Sequence, residues 1–211
     1  MVRTDGALDW RSARRQSARA TIVESAWAAV RDEGLAALSL RDLARRSGIT
    51  TPTVYAYFDS KSDIYDAMFG QAAEEFLQHM AAPYDATDPQ AVLAASLRRF
   101  VLFCTADLPR YQLLFQRTIP GFEPSPESYA PAVRALELSA EVLAVTGVTD
   151  PRHLDVWTAL TTGLVSQQIA NDPGGDRWVA LIEDFVAMFL SYFQQSIRPA
   201  RQVTKPVRRR P

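Results

Sequence analysis

Residues 39–61, SLRDLARRSGITTPTVYAYFDSK, constrain the fold more than any other stretch of the chain. Ser39 can N-cap a helix in which Leu40, Leu43 and Ala44 recur at helical spacing. Ser47-Gly48 ends that helix, because glycine takes the left-handed conformation that a C-terminal turn needs, and Ile49 supplies an apolar plug. Thr50 then caps a second short helix, whose first turn tolerates Pro52 because no backbone N–H partner is lost there. Two helices joined by so tight a turn make a helix-turn-helix, a motif whose second helix enters the major groove of DNA. On that helix Val54 and Phe58 share the face to be buried, leaving Thr51, Pro52, Thr53, Tyr55, Ala56 and Tyr57 on the others. Threonine methyls and proline can touch a thymine methyl, and hydroxyls can bond base edges or phosphates. Lys61 opens the next helix, where its charge and the helix N-terminus both favour phosphate. The candidate DNA-binding residues are therefore Ser39, Arg41, Thr50, Thr51, Pro52, Thr53, Tyr55, Ala56, Tyr57 and Lys61. Thr51, Thr53, Tyr55 and Arg41 suit base or close backbone contacts, whereas Ser39, Tyr57 and Lys61 suit phosphates.

The spacing G-I-x-x-x-T-V-Y-x-Y-F-x-S-K, from Gly48 to Lys61, is far more specific than a bare helix-turn-helix pattern. Residues 18–69 resemble the N-terminal domain of the tetracycline-repressor (TetR) family of one-component transcriptional regulators. The resemblance implies an all-α chain of about nine helices, with an N-terminal three-helix DNA-binding domain and a C-terminal helical ligand-binding and dimerisation domain. It further implies a homodimer on a double-stranded DNA operator, repression as the usual mode, and release by a small-molecule effector. Thr51-Pro52 stands where family members often have Pro-Gly, so the operator sequence does not carry over.

The remainder of the chain reads as helices. A first helix is expected from about 17 to 32, with Ile22, Ala26, Ala29 and Val30 inside and Gly34 as its stop, and a fourth from about 60 to 80. Asp88-Pro89, Leu108-Pro109, Ser125-Pro126, Asp150-Pro151 and Asp172-Pro173 mark further starts, since proline suits the first helical turn. Helices are thus predicted at about 89–106, 109–117, 126–146, 151–171 and 176–197. The proline-rich segment 118–131 reads as an irregular connection, either a packed surface loop or a movable flap over a cavity.

Charge divides along the chain. Residues 1–62 carry ten Lys and Arg against seven Asp and Glu, residues 63–197 seven against seventeen, and residues 198–211 six against none. A basic reading domain at 1–62, with 1–15 as a flexible basic arm, an acidic regulatory body at 63–197 and a disordered basic tail at 198–211 fit that division. Arg11, Arg14, Arg15 and Arg19 could reach phosphates or a minor groove. No apolar run approaches the roughly 18 residues that span a membrane, and a lone Cys104 suits a reducing cytoplasm.

The last two helices carry more apolar surface than one core-facing stripe requires. Leu160, Leu164, Trp178, Leu181, Phe185 and Phe189 are the candidate dimer interface, and Ala159, Thr162 and Gly163 would allow close helix approach. Trp157 and Gly163 match a Trp-x-x-x-x-His-Gly motif of a subgroup of the family, with Thr162 in the histidine's place. Phe100, Phe103, Cys104, Tyr111, Phe115, Tyr129 and Trp157 are candidate cavity lining, although plain core packing explains each one singly. No nucleotide-binding loop, C-x-x-C or H-E-x-x-H pattern occurs, so neither cofactor, metal nor catalytic role is expected. Two other readings stay open: a constitutive or architectural DNA-binding protein without a ligand, and a helical small-molecule-binding protein or enzyme with a vestigial DNA domain.

Overall fold

Cap chemistry sets where most of the helices begin. The Asp88 carboxylate accepts from the Ala91 N–H at 2.8 Å, Asp150 from Arg152 at 2.9 Å and the Ser125 hydroxyl from Ser128 at 3.2 Å, each with proline in the first turn that follows. Ser60 and Asp63 form a reciprocal capping box, with the Asp63 N–H donating to Ser60 Oγ and the Ser60 N–H to Asp63 Oδ2, both at 3.1 Å.

The computed structural model describes residues 5–197. Among these the chain forms nine α-helices and no strand. In order they are α1 Asp5–Glu33, α2 Leu40–Arg46, α3 Thr51–Tyr55, α4 Lys61–Ala81, α5 Pro89–Ala106, α6 Leu108–Phe115, α7 Pro126–Val145, α8 Pro151–Asn171 and α9 Ile182–Ile197. Short 3-10 turns stand at Leu35–Ala37 and Val179–Leu181. The expected tail at 198–211 lies outside the described residues.

Two elements depart from the expected bounds. α1 starts at Asp5, not near residue 17, so residues 5–15 form helix where an arm was expected. The segment lacks an apolar stripe, but from Ala7 to Glu33 no glycine or proline interrupts it. α9 begins six residues later than expected, because a side chain from α8 organises the approach to it. Gln168 is buried; its Oε1 accepts from the N–H groups of Trp178 at 3.0 Å and Val179 at 3.2 Å, and its Nε2 donates to the Gly175 carbonyl at 3.1 Å and to the Asp172 carbonyl.

Two main cores follow. Ile22, Ala26, Trp27, Leu43, Val54, Phe58, Ile64 and Met68 join α1–α3 to α4, and Leu113 of α6 packs with them. Leu93, Leu97, Val101, Cys104, Tyr111, Trp157, Leu164, Val186 and Phe189 form the core of the C-terminal body. Part of the expected interface therefore belongs to the chain's own interior. Leu164 and Phe189 are each 1% exposed, and the Phe189 ring lies 5.0 Å from that of Trp157. These two positions are corrected accordingly: a side chain enclosed by its own chain has no surface left for a partner. Leu160, Trp178 and Phe185 are half-buried against the same core, whereas Leu181 faces solvent together with Met188 and Tyr192.

α4 and α7 run in intimate contact. A Cβ on Gly70 would stand 3.0 Å from Ser128 Oγ, so only glycine permits this approach without a shift. Beside it the Asp66 carboxylate accepts from the Ser125 N–H at 2.6 Å, Ser125 Oγ at 2.9 Å and Ser128 Oγ at 2.8 Å. The N-terminus of α7 is thus fastened to the helix that also carries α3's packing partners.

Candidate nucleic-acid interface and body cavity

The turn between α2 and α3 is built as the residues require. Gly48 has φ +66°, where a side chain would be strained, and the Ile49 N–H returns to the Ala44 carbonyl at 3.0 Å. Ser39 caps α2 through the Asp42 N–H at 3.5 Å, and Thr50 caps α3 through the Thr53 N–H at 3.4 Å. Thr50 and Thr53 also share a hydroxyl–hydroxyl bond of 2.8 Å, which holds the first turn of α3.

The ten candidate positions fall into three groups. Pro52, Tyr55 and Ala56 are exposed on α3 and its C-cap, with Thr51 and Thr53 half-buried beside them. Tyr55 keeps 51% of its surface open, and no hydrogen bond or ring contact engages it among the described residues. Arg41 is exposed on α2 and likewise free among the described residues, while its neighbours Arg45 and Arg46 are tied to Asp42. Those ties, Arg46 first, hold the Asp42 carboxyl below the usual carboxylate range, and Arg46 also bridges to Asp32 at 2.7 Å and Glu33 at 3.1 Å. Arg41 is therefore the cation of α2 left for an external anion. The last group is structural at one end: Tyr57 packs half-buried on the core, Lys61 Nζ donates to the Ala36 carbonyl at 3.3 Å, and Ser39 and Thr50 serve as caps.

Sequence reasoning missed what holds the C-terminal end of α3. The Ala56 and Tyr57 carbonyls stand just past α3, where no further helical turn follows to supply N–H partners. Arg15 of α1 donates to the Ala56 carbonyl at 3.4 Å, and Arg19 donates to the Tyr57 carbonyl with its guanidinium 4.1 Å from the Phe58 ring centroid. Both arginines thereby engage the chain just past the C-terminal end of α3. Their spacing of four residues on one helix is the signal that could have found them.

In the C-terminal body a cavity of about 230 Å³ lies among α4, α5, α6, α7 and α8. Of the expected lining, Phe100, Phe115, Tyr129 and Trp157 do face it. Phe103, Cys104 and Tyr111 do not. Phe103 packs on Phe76 at 5.0 Å, Cys104 is wholly buried in the main body core, and Tyr111 turns its hydroxyl to Ser166 Oγ at 3.0 Å. Burial pushes the Cys104 thiol well above its ordinary value, so it is no nucleophile. The residues missed are Phe76, Met80, Leu97 and a row of hydroxyls: Ser96, Ser139, Thr158, Thr161 and Thr162. The polar Ser96 between the apolar Leu93 and Leu97 was the legible clue. Segment 116–124 with Tyr129 borders a second depression of about 450 Å³ that shares Leu114, Phe115 and Tyr129 with the first.

Among the described residues no group of three or more His, Cys, Asp and Glu could hold a metal ion, and no helix is long and apolar enough to cross a membrane. No curated protein matches the chain. Solved structures do. A tetR-family transcriptional regulator from Streptomyces coelicolor superposes with a TM-score of 0.68 at 18% identity, over 87% of this chain and 84% of that one. The TetR family transcriptional regulator PfmR from Thermus thermophilus gives 0.62 at 18% identity, over 81% and 97%. The multidrug binding protein EbrR, solved with imidazole, gives 0.57 at 22% identity, over 81% and 88%. At such identities these likenesses speak for the fold. Residues 22–68, which hold α2, α3 and the packing faces of α1 and α4, match the model of the tetR family of bacterial regulatory proteins. With its helix-turn-helix exposed in this frame, the segment 22–68 matches the DNA-binding domain of the tetR family of bacterial regulatory proteins, and most of the chain shares the fold of solved tetR-family regulators.

Proposed function

We propose that the protein is a homodimeric repressor that reads a palindromic operator and leaves it when a small, moderately hydrophobic molecule enters the body cavity. Residues 1–62 act as the reading domain and 63–197 as the regulatory body, in the cytoplasm where the DNA is. One observation carries this reading. α7 lines the cavity through Tyr129, Ala132, Ala135, Leu136 and Ser139, and its first turn is fastened by Ser125 and Ser128 to Asp66 on α4, whose first residue is Lys61 at the reading head. A ligand that favours one position of α7 thereby has a route to differential affinity for two states of the head. The open face of Gly163, where an added Cβ would meet nothing within 4 Å, and the exposed Leu181, Met188 and Tyr192 support pairing through α8 and α9. Two half-sites require such a pair. The cavity weighs against a constitutive regulator with a filled body.

The test is fluorescence anisotropy with DNA upstream of the protein's own gene against a scrambled duplex, at two salt concentrations. Tight binding that persists in higher salt only on the native duplex is expected. Equal, salt-collapsing binding to both duplexes would remove the specific-repressor reading. The same assay checks Arg19. Arg19→Met is expected to weaken operator binding about 3- to 10-fold while the slope of log affinity against log salt stays unchanged. A direct phosphate contact would instead flatten that slope by about one.

A further inference from the structure

Ser96 lies on α5 at the cavity wall, 4% exposed, and its hydroxyl has no hydrogen-bond partner among the described residues. A helical serine commonly returns its proton to a carbonyl one turn back, as Thr105 does to Val101 at 2.9 Å, whereas the Ser96 hydroxyl stays available to whatever enters the cavity. The same wall carries Ser139 of α7 and Thr158 and Thr162 of α8, whose side chains also make no hydrogen bond among the described residues. Around these hydroxyls the walls are aromatic and aliphatic, with Phe76, Phe100, Phe115 and Trp157 supplying most of the ring surface. No lining residue is charged. The nearby arginine of α5 is committed elsewhere: Arg99 donates to the carbonyls of Met80 at 3.2 Å, Pro83 at 2.9 Å and Ala82, and stacks 4.2 Å from the Tyr84 ring.

Building on the reading of this cavity as the effector site, we propose that its ligand is an uncharged, largely aromatic or aliphatic molecule with a hydroxyl or carbonyl oxygen that bonds Ser96. At about 230 Å³ the cavity is smaller than the usual site for a drug-sized ligand and suits a small molecule of one or two rings. An anion or cation is excluded because no opposite charge in the wall would compensate its lost hydration. The oxygen supplies the partner that Ser96 lacks, and specificity arises because an analogue without it leaves the hydroxyl unsatisfied.

The probes are 2-naphthol, naphthalene and 2-naphthoate, titrated calorimetrically at pH 7 into the full chain. 2-Naphthol is expected to bind at least 10-fold more tightly than either of the others. In Ser96→Ala, 2-naphthol is expected to fall to within about twofold of naphthalene, while the melting temperature of the ligand-free protein does not drop, since no hydrogen bond is removed. The proposal is overturned if 2-naphthoate binds as well as 2-naphthol, if Ser96→Ala leaves the naphthol-to-naphthalene ratio intact, or if none of the three binds. Ser96-dependent binding of 2-naphthol without any change in the protein–DNA complex would uphold the ligand class and sink effector release.

Discussion

Tyr55→Ala is expected to abolish operator binding while leaving the helical content and the dimer intact. The ring stands half-open on the last turn of α3 and engages nothing among the described residues, so its removal leaves no cavity and breaks no bond. Its buried neighbours Val54 and Phe58 hold the helix on the core without it. A side chain of a recognition helix that meets DNA contributes about 1–3 kcal/mol per contact. In the proposed dimer two reading heads on a two-fold operator lose it together, so the deficit is about 2–6 kcal/mol, or between roughly 30-fold and 20,000-fold in affinity. Anisotropy with the operator duplex and circular dichroism on the same preparation measure both halves of the expectation. Unchanged affinity would remove Tyr55 from the interface, and Tyr55→Phe then separates hydroxyl from ring where affinity does fall.

Trp27→Ala should have the largest effect on stability. Trp27 is fully buried where α1 meets α4 and α6, and its Nε1–H donates to Gln71 Oε1 at 2.9 Å. Gln71 in turn donates to Glu24 at 2.7 Å, and the Arg110 guanidinium lies 5.1 Å from the indole centroid. Truncation therefore opens a cavity, strands the Gln71 carbonyl and removes a cation–π partner at one stroke. The cost is about 3–5 kcal/mol, which at a urea dependence of about 2 kcal/mol per molar lowers the unfolding midpoint by about 1.5–2.5 M. Trp27→Phe keeps part of the ring and should lose distinctly less. A midpoint shift below about 0.3 M for the alanine variant would show that this junction can be dissolved without consequence for the fold.

What could be read in advance was what local chemistry decides. Asp88, Ser125 and Asp150 cap their helices within three residues of themselves, so α5, α7 and α8 begin where their Asp-Pro and Ser-Pro pairs stand. The helix-turn-helix was legible for the same reason, since Ser39, Gly48 and Thr50 act within a few residues. What failed was decided at a distance. The start of α9 depends on Gln168, ten residues before Trp178 and on the preceding helix. Leu164 and Phe189 belong to apolar helix faces, but which face meets the chain's own core and which meets solvent is fixed only once α5 is packed beside them. Phe103 and Tyr111 are as aromatic as Phe100 and Phe115, and only the rotation of their helices keeps them out of the cavity. The hydroxyl lining escaped because serine and threonine on a helix look solvent-facing until a hollow is found beneath them.

The clasp between Asp66 and the first turn of α7 would let the two helices act as coupled levers under the proposed function. From Ser128 to Ser139 is about 16 Å of helix at 1.5 Å per residue, so a displacement of about 1 Å at the cavity wall tilts α7 by about 3–4°. α4 is about 31 Å long, and a tilt of that size about its far end carries Lys61 by about 2 Å. Base pairs are stacked about 3.4 Å apart. In the proposed repressor, a shift too small to unfold anything in the body is thus more than half a base-pair step at the DNA, and a second head moving in the opposite sense would double the mismatch in spacing.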